Sequence, residues 1–234
     1  MAIFKNTPPI VTNGLVLALD AANPKSYTSG STNWFSLGNP TLSGSLINGP
    51  TFDSQNGGSI VFDGVNDHVN CGTTNIIPGS YTVSTWIKYT PKVGTAVYFG
   101  RSNAAPNFDQ TAILGWTNIG DKFFVSGKTV GGSYIGITSS FSPSTSIIYN
   151  VVGTFNTAST VLNLYINGVL NNTRIIGSLY ITGSNLINQV GCSDGTAPGN
   201  FTQGNIYDVK IYNRELSAQE ITQNYNATKG RFGL

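Results

Sequence analysis

VLNLYINGVLNNT (161–173) sets two β-type runs on either side of Asn167–Gly168. Asn and Gly tolerate positive φ at the two central positions of a type I′ turn, and that turn has the twist that paired strands need. The stretch predicts a hairpin. The segments around it follow the same grammar. IIYNVVGTF (147–155) precedes it, and LINQVGC (186–192) and NIYDVKIYN (205–213) follow it. Each is a short apolar run with aromatic or β-branched residues, bounded by turn formers.

Further out, DKFFVSGK (121–128) pairs back on QTAILGWT (110–117) through a turn at Asn118–Gly120, and TAVYFG (95–100) precedes both. In YTVSTWIKYT (81–90), Val83, Thr85, Ile87 and Tyr89 share one face, while Trp86 lies on the other with Thr82, Ser84 and Lys88. A Trp on the second face predicts that both faces of this strand are at least partly covered. SIVFDGVNDHVNCG (59–72) reads as strand, tight reversal, strand, with Ile60 and Phe62 on one face and Gly64 with Asn66 in the turn. GLVLALDAANPKSY (14–27) opens the domain with a buried strand that Pro24 ends. Residues 28–58 hold short candidates such as SLINGPTF (45–52).

One helix is marked, SAQEITQNYNA (217–227). Ser217 and Glu220 have capping-box spacing, and Leu216 with Ile221 fall at the positions of a hydrophobic staple. About a dozen strands and one short C-terminal helix predict an all-β fold, a two-sheet antiparallel sandwich. A single domain over 13–234 suits the length of 234 residues, with 1–12 as an N-terminal arm. Pro8 and Pro9 keep that arm from being a central strand. Its apolar residues Ile3, Phe4, Ile10 and Val11 suit either attachment to a neighbouring subunit or a clasp along the chain's own sandwich.

Charged residues are 9% of the chain, against about 25% in an ordinary soluble domain. The net charge is +2 without a Lys/Arg cluster, which argues against nucleic acid as a partner. No apolar stretch is long enough to insert in a membrane as a helix. The start, MAIFKNTPPIVTNG, has no signal-peptide pattern. Cys71 and Cys192 each lie two residues from a strand valine; buried thiols and a single bridge both remain open.

Several of these segments, in order, resemble the laminin G-like domains of the concanavalin A-like lectin/glucanase superfamily. SIVFDGVNDHVNCG resembles the family's strand–FDG–strand signature, and YTVSTWIKYT its next strand with a central Trp. VLNLYINGVL is similar to its hairpin, and GNIYDVKIYNRELSAQEI to its closing strand and helix. The resemblance covers 14–228 and implies a jelly-roll sandwich. GLVLALDAANPKSY, LINGPTF and QNYNATKGRFGL resemble the version found in tailed-phage structural proteins and some bacterial surface proteins. That likeness implies a non-catalytic protein of a virion surface, on capsid, tail or fibre, present in multiple copies beside other assembly proteins, with a role in adhesion to cell-surface polysaccharide. The other reading is a lectin-like module of a bacterial cell surface.

Catalysis has little to work with. Glycoside hydrolysis needs two carboxylates across the scissile bond. The two glutamates, Glu215 and Glu220, both lie at the last strand–helix junction, and Glu220 has a capping role. His68 is the one histidine. It reads as a surface strand residue, with Asp67 on the opposite face, so no dyad forms. The family resemblance implies a structural calcium as an option, with Asp20, Asp63, Asp67 and Asp208 as candidate ligands; ordinary turn chemistry is the competing reading. No other cofactor is implied. A sugar needs an aromatic platform beside polar groups. Tyr98 and Trp116, with Arg101, Asn103, Asn107 and Asp109 in one loop and Asp194 in another, are the glycan-binding candidates. Core packing is the competing role for the two aromatics.

Overall fold

The Asn167–Gly168 turn joins β13 (Val161–Ile166) to β14 (Val169–Ile175), with φ of 52° and 78° at its two central residues. This hairpin is one edge of an antiparallel sandwich in the computed structural model, which describes residues 8–39, 41–103, 109–181 and 186–234. The first sheet continues from the hairpin through β12 (Tyr149–Asn156), β7 (Tyr81–Tyr89), β16 (Gln203–Tyr212), β5 (Ser59–Asp63) and β4 (Thr51–Asp53). β1 (Leu15–Asp20) also pairs with β16. The second sheet runs β11 (Tyr134–Thr138), β10 (Lys122–Lys128), β9 (Gln110–Thr117), β8 (Thr95–Ser102), β15 (Ile187–Val190), β6 (His68–Asn70), β3 (Ser43–Ile47), β2 (Asn33–Phe35).

The two inner faces share one apolar core. Leu17, Ile60, Phe62, Val83, Ile87, Leu162, Leu164 and Val209 meet Trp34, Phe99, Leu114, Phe123 and Val190 there. The period-2 alternation of the strands produces this directly, since every second side chain points inward. On the open side, Asn172 Nδ2 donates to the Thr138 carbonyl at 2.8 Å, so β14 satisfies an edge carbonyl of β11. That is one way to blunt a sheet edge.

SIVFDGVNDHVNCG is a corner and not a hairpin. β5 belongs to the first sheet and β6 to the second, so the reversal carries the chain across the sandwich. Asp67 Oδ2 accepts from the Asp63 N–H at 3.1 Å, and Asp63 Oδ1 accepts from the Val65 N–H at 2.8 Å. SLINGPTF likewise divides. Asn48 and Gly49, with φ of 65° and 97°, separate β3 from β4, which lie in opposite sheets.

A third layer covers the outer face of the first sheet. The helix α1 (Ala218–Thr228) begins with the capping box: Glu220 N–H donates to Ser217 Oγ at 3.2 Å, and Ser217 N–H donates to Glu220 Oε2 at 2.9 Å. Leu216 and Ile221 join Val152, Tyr165 and Tyr212 in a second cluster beneath the helix. Trp86 faces this layer and is buried. Its ring stacks on Tyr225 at 5.5 Å and lies 4.3 Å from Phe232, and its Nε1 donates to Thr228 Oγ1 at 2.9 Å. The terminal GRFGL is therefore part of the packing. Arg231 bonds the Asn56 and Gly58 carbonyls and Asp20.

The described part of the N-terminal arm is a clasp. Val11 N–H donates to Asn224 Oδ1 at 2.8 Å, and the Val11 carbonyl accepts from Tyr212 Oη at 2.9 Å. The Pro9 carbonyl accepts from Gln223 at 2.7 Å. Val11 packs on the second cluster and Ile10 is half-buried, so their apolar surface is used within the chain. Ile3 and Phe4 lie outside the described residues.

Two outcomes follow for the helix junction. Ser217→Ala removes a helix cap and should cost about 1 kcal/mol in urea unfolding. The second concerns Glu220, whose carboxyl is held at about 2, down from 4.5, chiefly by its hydrogen bonds from Arg214 at 2.7 and 2.9 Å. Because its folded pKa lies below the unfolded one, its contribution is complete above about 4.5 and is lost as pH falls toward about 2. Glu220→Gln should lack that part of the acid destabilisation in melts across this range.

Candidate functional site

The outer face of the second sheet carries an open groove of about 320 Å³ lined by Thr95, Thr117, Phe124, Gly136, Ile137 and Thr138. Alternation along β10 puts Phe123 and Val125 into the core and turns Phe124 outward. Register then fixes its neighbours. Phe124 stands between Gly115 of β9 and Thr138 of β11, and Thr117 stands between Thr95 and Lys122. Gly136 lines the groove, and Gly115 lies against the Phe124 ring. A Cβ on Gly115 would lie 3.0 Å from the Phe124 ring and 2.2 Å from the Ala96 carbonyl oxygen. One on Gly136 would lie 2.7 Å from Ser126 Cβ. The result is an aromatic face rimmed by threonine hydroxyls, the pairing of apolar face and polar edge that a sugar ring matches. Neither Phe124 nor its glycines were among the residues expected to bind. Glycine inside a strand, which marks close backbone approach, was the available signal.

The expected glycan residues are placed elsewhere. Tyr98 and Trp116 are in the core, at 1% and 2% exposure, and offer no platform. Burial holds the Tyr98 phenol well above its ordinary pKa. Trp116 Nε1 donates to Asp121 Oδ1 at 2.7 Å, and its ring packs 5.5 Å from Tyr89. Core packing claims them because both sit on inward positions of their strands.

Arg101, Asn103 and Asp109 do come together at the end of β8, buried and tied to the protein. Arg101 donates to Asn188 Oδ1 at 3.1 Å, Asn75 Oδ1 at 3.0 Å and the Thr74 carbonyl at 3.3 Å; burial lowers its pKa to about 10. Asp109 pairs with Lys128 at 3.0 Å. Asp194 joins this end through its N–H, which donates to Ser102 Oγ at 2.8 Å, and its carboxylate accepts from Asn200 at 3.1 Å. Burial raises its pKa. Asn107 lies outside the described residues.

The four candidate calcium ligands split into two places. Asp20 and Asp208 are register partners in β1 and β16. Asp20 accepts from Arg231 at 2.8 Å, and Asp208 is paired with Lys210 and accepts from the Trp86 N–H at 3.2 Å. Two side-chain cations thus serve these acids. Asp63 and Asp67 take the corner amides, and the amide bonds lower Asp63 while burial raises Asp67. Among the described residues no three His, Cys, Asp or Glu side chains are grouped to hold a metal.

His68 is buried, at 7% exposure, contrary to the surface position expected of it. The loop after β15 folds over it, with Phe201 6.1 Å from the ring, and its Nδ1 lies 3.0 Å from the Asn66 carbonyl. Glu215 accepts from Asn156 at 2.6 Å, Asn163 at 3.2 Å and Thr154 at 3.4 Å, and Glu220 is held by Arg214. Both glutamates serve the first sheet's outer layer and neither lines the groove.

Together the two antiparallel sheets and the short C-terminal helix define a jelly-roll sandwich of the concanavalin A-like kind. The chain belongs to the concanavalin A-like lectin/glucanases superfamily, whose laminin G model matches residues 63–222. No curated protein matches the chain by sequence. Solved structures are similar to it in fold. The binding domain of Paraclostridial Mosquitocidal Protein 1 is 17% identical with a TM-score of 0.70, over 92% of this chain and 52% of that one. The binding domain of botulinum neurotoxin DC, in complex with SialylT, is 14% identical at 0.66, over 93% and 52%. Trypanosoma rangeli sialidase with the inhibitor DANA is 15% identical at 0.66, over 96% and 34%. The chain spans about half the length of the toxin chains and about a third of the sialidase.

Cys71 and Cys192 are buried free thiols, and burial pushes Cys71 up to about 12 and raises Cys192 further. Because the thiolate is the reactive form, neither should react with a thiol reagent in the native protein at neutral pH. Both should titrate once it is unfolded.

Proposed function

We propose that this chain is a non-catalytic recognition domain that binds a neutral or weakly charged glycan in the Phe124 groove, displayed in many copies on a virion or comparable surface assembly. The observation that carries the glycan reading is the groove itself: one half-exposed aromatic ring against Gly115, with Gly136 and three threonines in the lining and no carboxylate among the described lining residues. An acid pair is what hydrolysis requires, and Glu215 and Glu220 are committed elsewhere. The toxin binding domain solved with SialylT has a similar fold, which makes a sugar the first ligand class to try.

The surface-assembly part rests on the sequence. GLVLALDAANPKSY and the GRFGL tail resemble phage structural proteins, and the low charge with abundant Asn, Ser and Thr suits a repeated exterior part. Labelling of purified particles with an antibody to the domain tests that part on its own.

A glycan array should give binding that Phe124→Ala weakens at least about tenfold, which corresponds to about 1.4 kcal/mol. The variant should remain folded, because Phe124 lies outside the main core. Reducing-sugar assays on bound glycans should stay at background. Binding that survives Phe124→Ala unchanged would place the ligand elsewhere.

A further inference from the structure

The ends of β8, β9 and β10 bring an amine and a carboxamide onto one carboxylate. Asp109 Oδ1 accepts from Lys128 Nζ at 3.0 Å, and Asp109 Oδ2 accepts from Asn103 Nδ2 at 3.3 Å. Asn103 Oδ1 accepts from the backbone N–H of Asp109 at 2.7 Å. The backbone fixes the set. Asn103 N–H donates to the Asp109 carbonyl at 3.0 Å, which puts the two residues opposite each other where β8 meets β9. Lys128 closes β10 on the far side of β9. Asp109 and Asn103 are 5% and 9% exposed, and the Lys128 side chain 17%.

These are the parts of an acyl transfer. A nucleophile needs a base, an amide carbonyl needs a donor on its oxygen, and the leaving nitrogen needs a proton. Asp109 supplies all three, through Oδ1, its own N–H and Oδ2. We propose that Lys128 and Asn103 join in an intramolecular isopeptide bond, with Asp109 as the proton shuttle. Lys128 Nζ gives a proton to Asp109 and, as the amine, attacks Asn103 Cγ. The flexible lysine stem closes the remaining gap. Negative charge on Asn103 Oδ1 is held by the Asp109 N–H. Asp109 returns the proton to Nδ2, the Cγ–Nδ2 bond breaks and ammonia leaves; Asp109 then takes the second proton from the new amide nitrogen and passes it to the ammonia, which departs as ammonium. A C–N bond forms, a C–N bond breaks, and no oxidant or other reactant is needed.

The product ties the ends of β8 and β10 across β9. It is independent of the glycan reading, since none of the three residues lines the Phe124 groove.

Intact-mass spectrometry of the purified full chain decides it. The expected mass is lower than the sequence mass by about 17 Da, one ammonia. Proteolysis should then yield a branched peptide joining the segments that contain Asn103 and Lys128. Lys128→Arg, Asn103→Ala and Asp109→Asn should each restore the full mass. Succinimide formation at Asn167–Gly168 also loses ammonia, but it joins no peptides and persists in Lys128→Arg. The full sequence mass in the parent protein after prolonged incubation would overturn the proposal. So would a mass deficit that remains in Lys128→Arg. If Asp109→Asn fails to fold, the parent's peptide map still separates a cross-linked chain from an open one.

Discussion

Trp86 is the side chain around which the outer half of the molecule is organised. It stands on the face of β7 that turns away from the main core, where a bare sandwich would leave it in water. Burying a side chain of this size is worth on the order of 3 kcal/mol. The C-terminal segment does the burying. Tyr225 and Phe232 close over the ring, and Thr228 accepts its Nε1 proton. Other contacts depend on that placement. Thr222 Oγ1 donates to the Gly168 carbonyl at 3.0 Å, and a Cβ on Gly168 would lie 2.9 Å from Tyr225, so the turn that defines the hairpin is also where the helix docks. Asn224 receives the arm at Val11, and Arg231 reaches back to Asp20 and the Gly58 carbonyl. Both ends of the described chain converge on one layer because one tryptophan points outward.

That constraint leaves the second sheet as the face open to a ligand. Its middle is partly taken as well. Gln189 exchanges two hydrogen bonds of 3.0 Å with the backbone of Gly195, which pins the loop after β15 across β15 and β8. Cys192 and Ser193 approach Gly100 so closely that a Cβ there would meet the Cys192 carbonyl at 2.9 Å. One uncovered part lies over β9, β10 and β11, where Phe124 sits, and another over β3 and β6, around Ser43, Ser45 and Asn70.

The strands are legible in the sequence because alternation and turn chemistry are local. Asn167–Gly168, the capping box and the two-faced strand around Trp86 each rest on a few neighbouring residues. Which sheet a strand joins is not local. β5 and β6 follow each other closely in the chain and lie in different sheets, a result of packing that the sequence of the turn does not encode. β2 and β11 are short and sit among Gly, Asn and Ser, so they show no clear period. The binding candidates fail for a related reason. Sequence names Trp116 and Tyr98 as aromatics but does not say which way each faces, and an aromatic in an apolar strand usually belongs to the core. Phe124 is hidden behind Phe123, and only strand register tells which of the two points out.

The unusual composition has a physical consequence that runs through fold and site alike. With few charges, many buried and half-buried polar groups are satisfied by neutral partners. Asn188 serves Arg101 and two carbonyls, Asn150 bonds Ser84 and the Thr85 carbonyl, and Asn163 and Asn156 hold Glu215. Turn positions with positive φ fall to Asn as well as Gly, at Asn48, Asn56, Asn167 and Asn200. Amides and hydroxyls make short-range bonds that salt screens little, whereas long-range charge effects are screened within about 10 Å at moderate salt. A surface built this way recognises by shape and hydrogen bonds at contact and steers little at a distance. That property suits a domain that meets a dense array of neutral hydroxyls better than one that must capture a dilute charged partner.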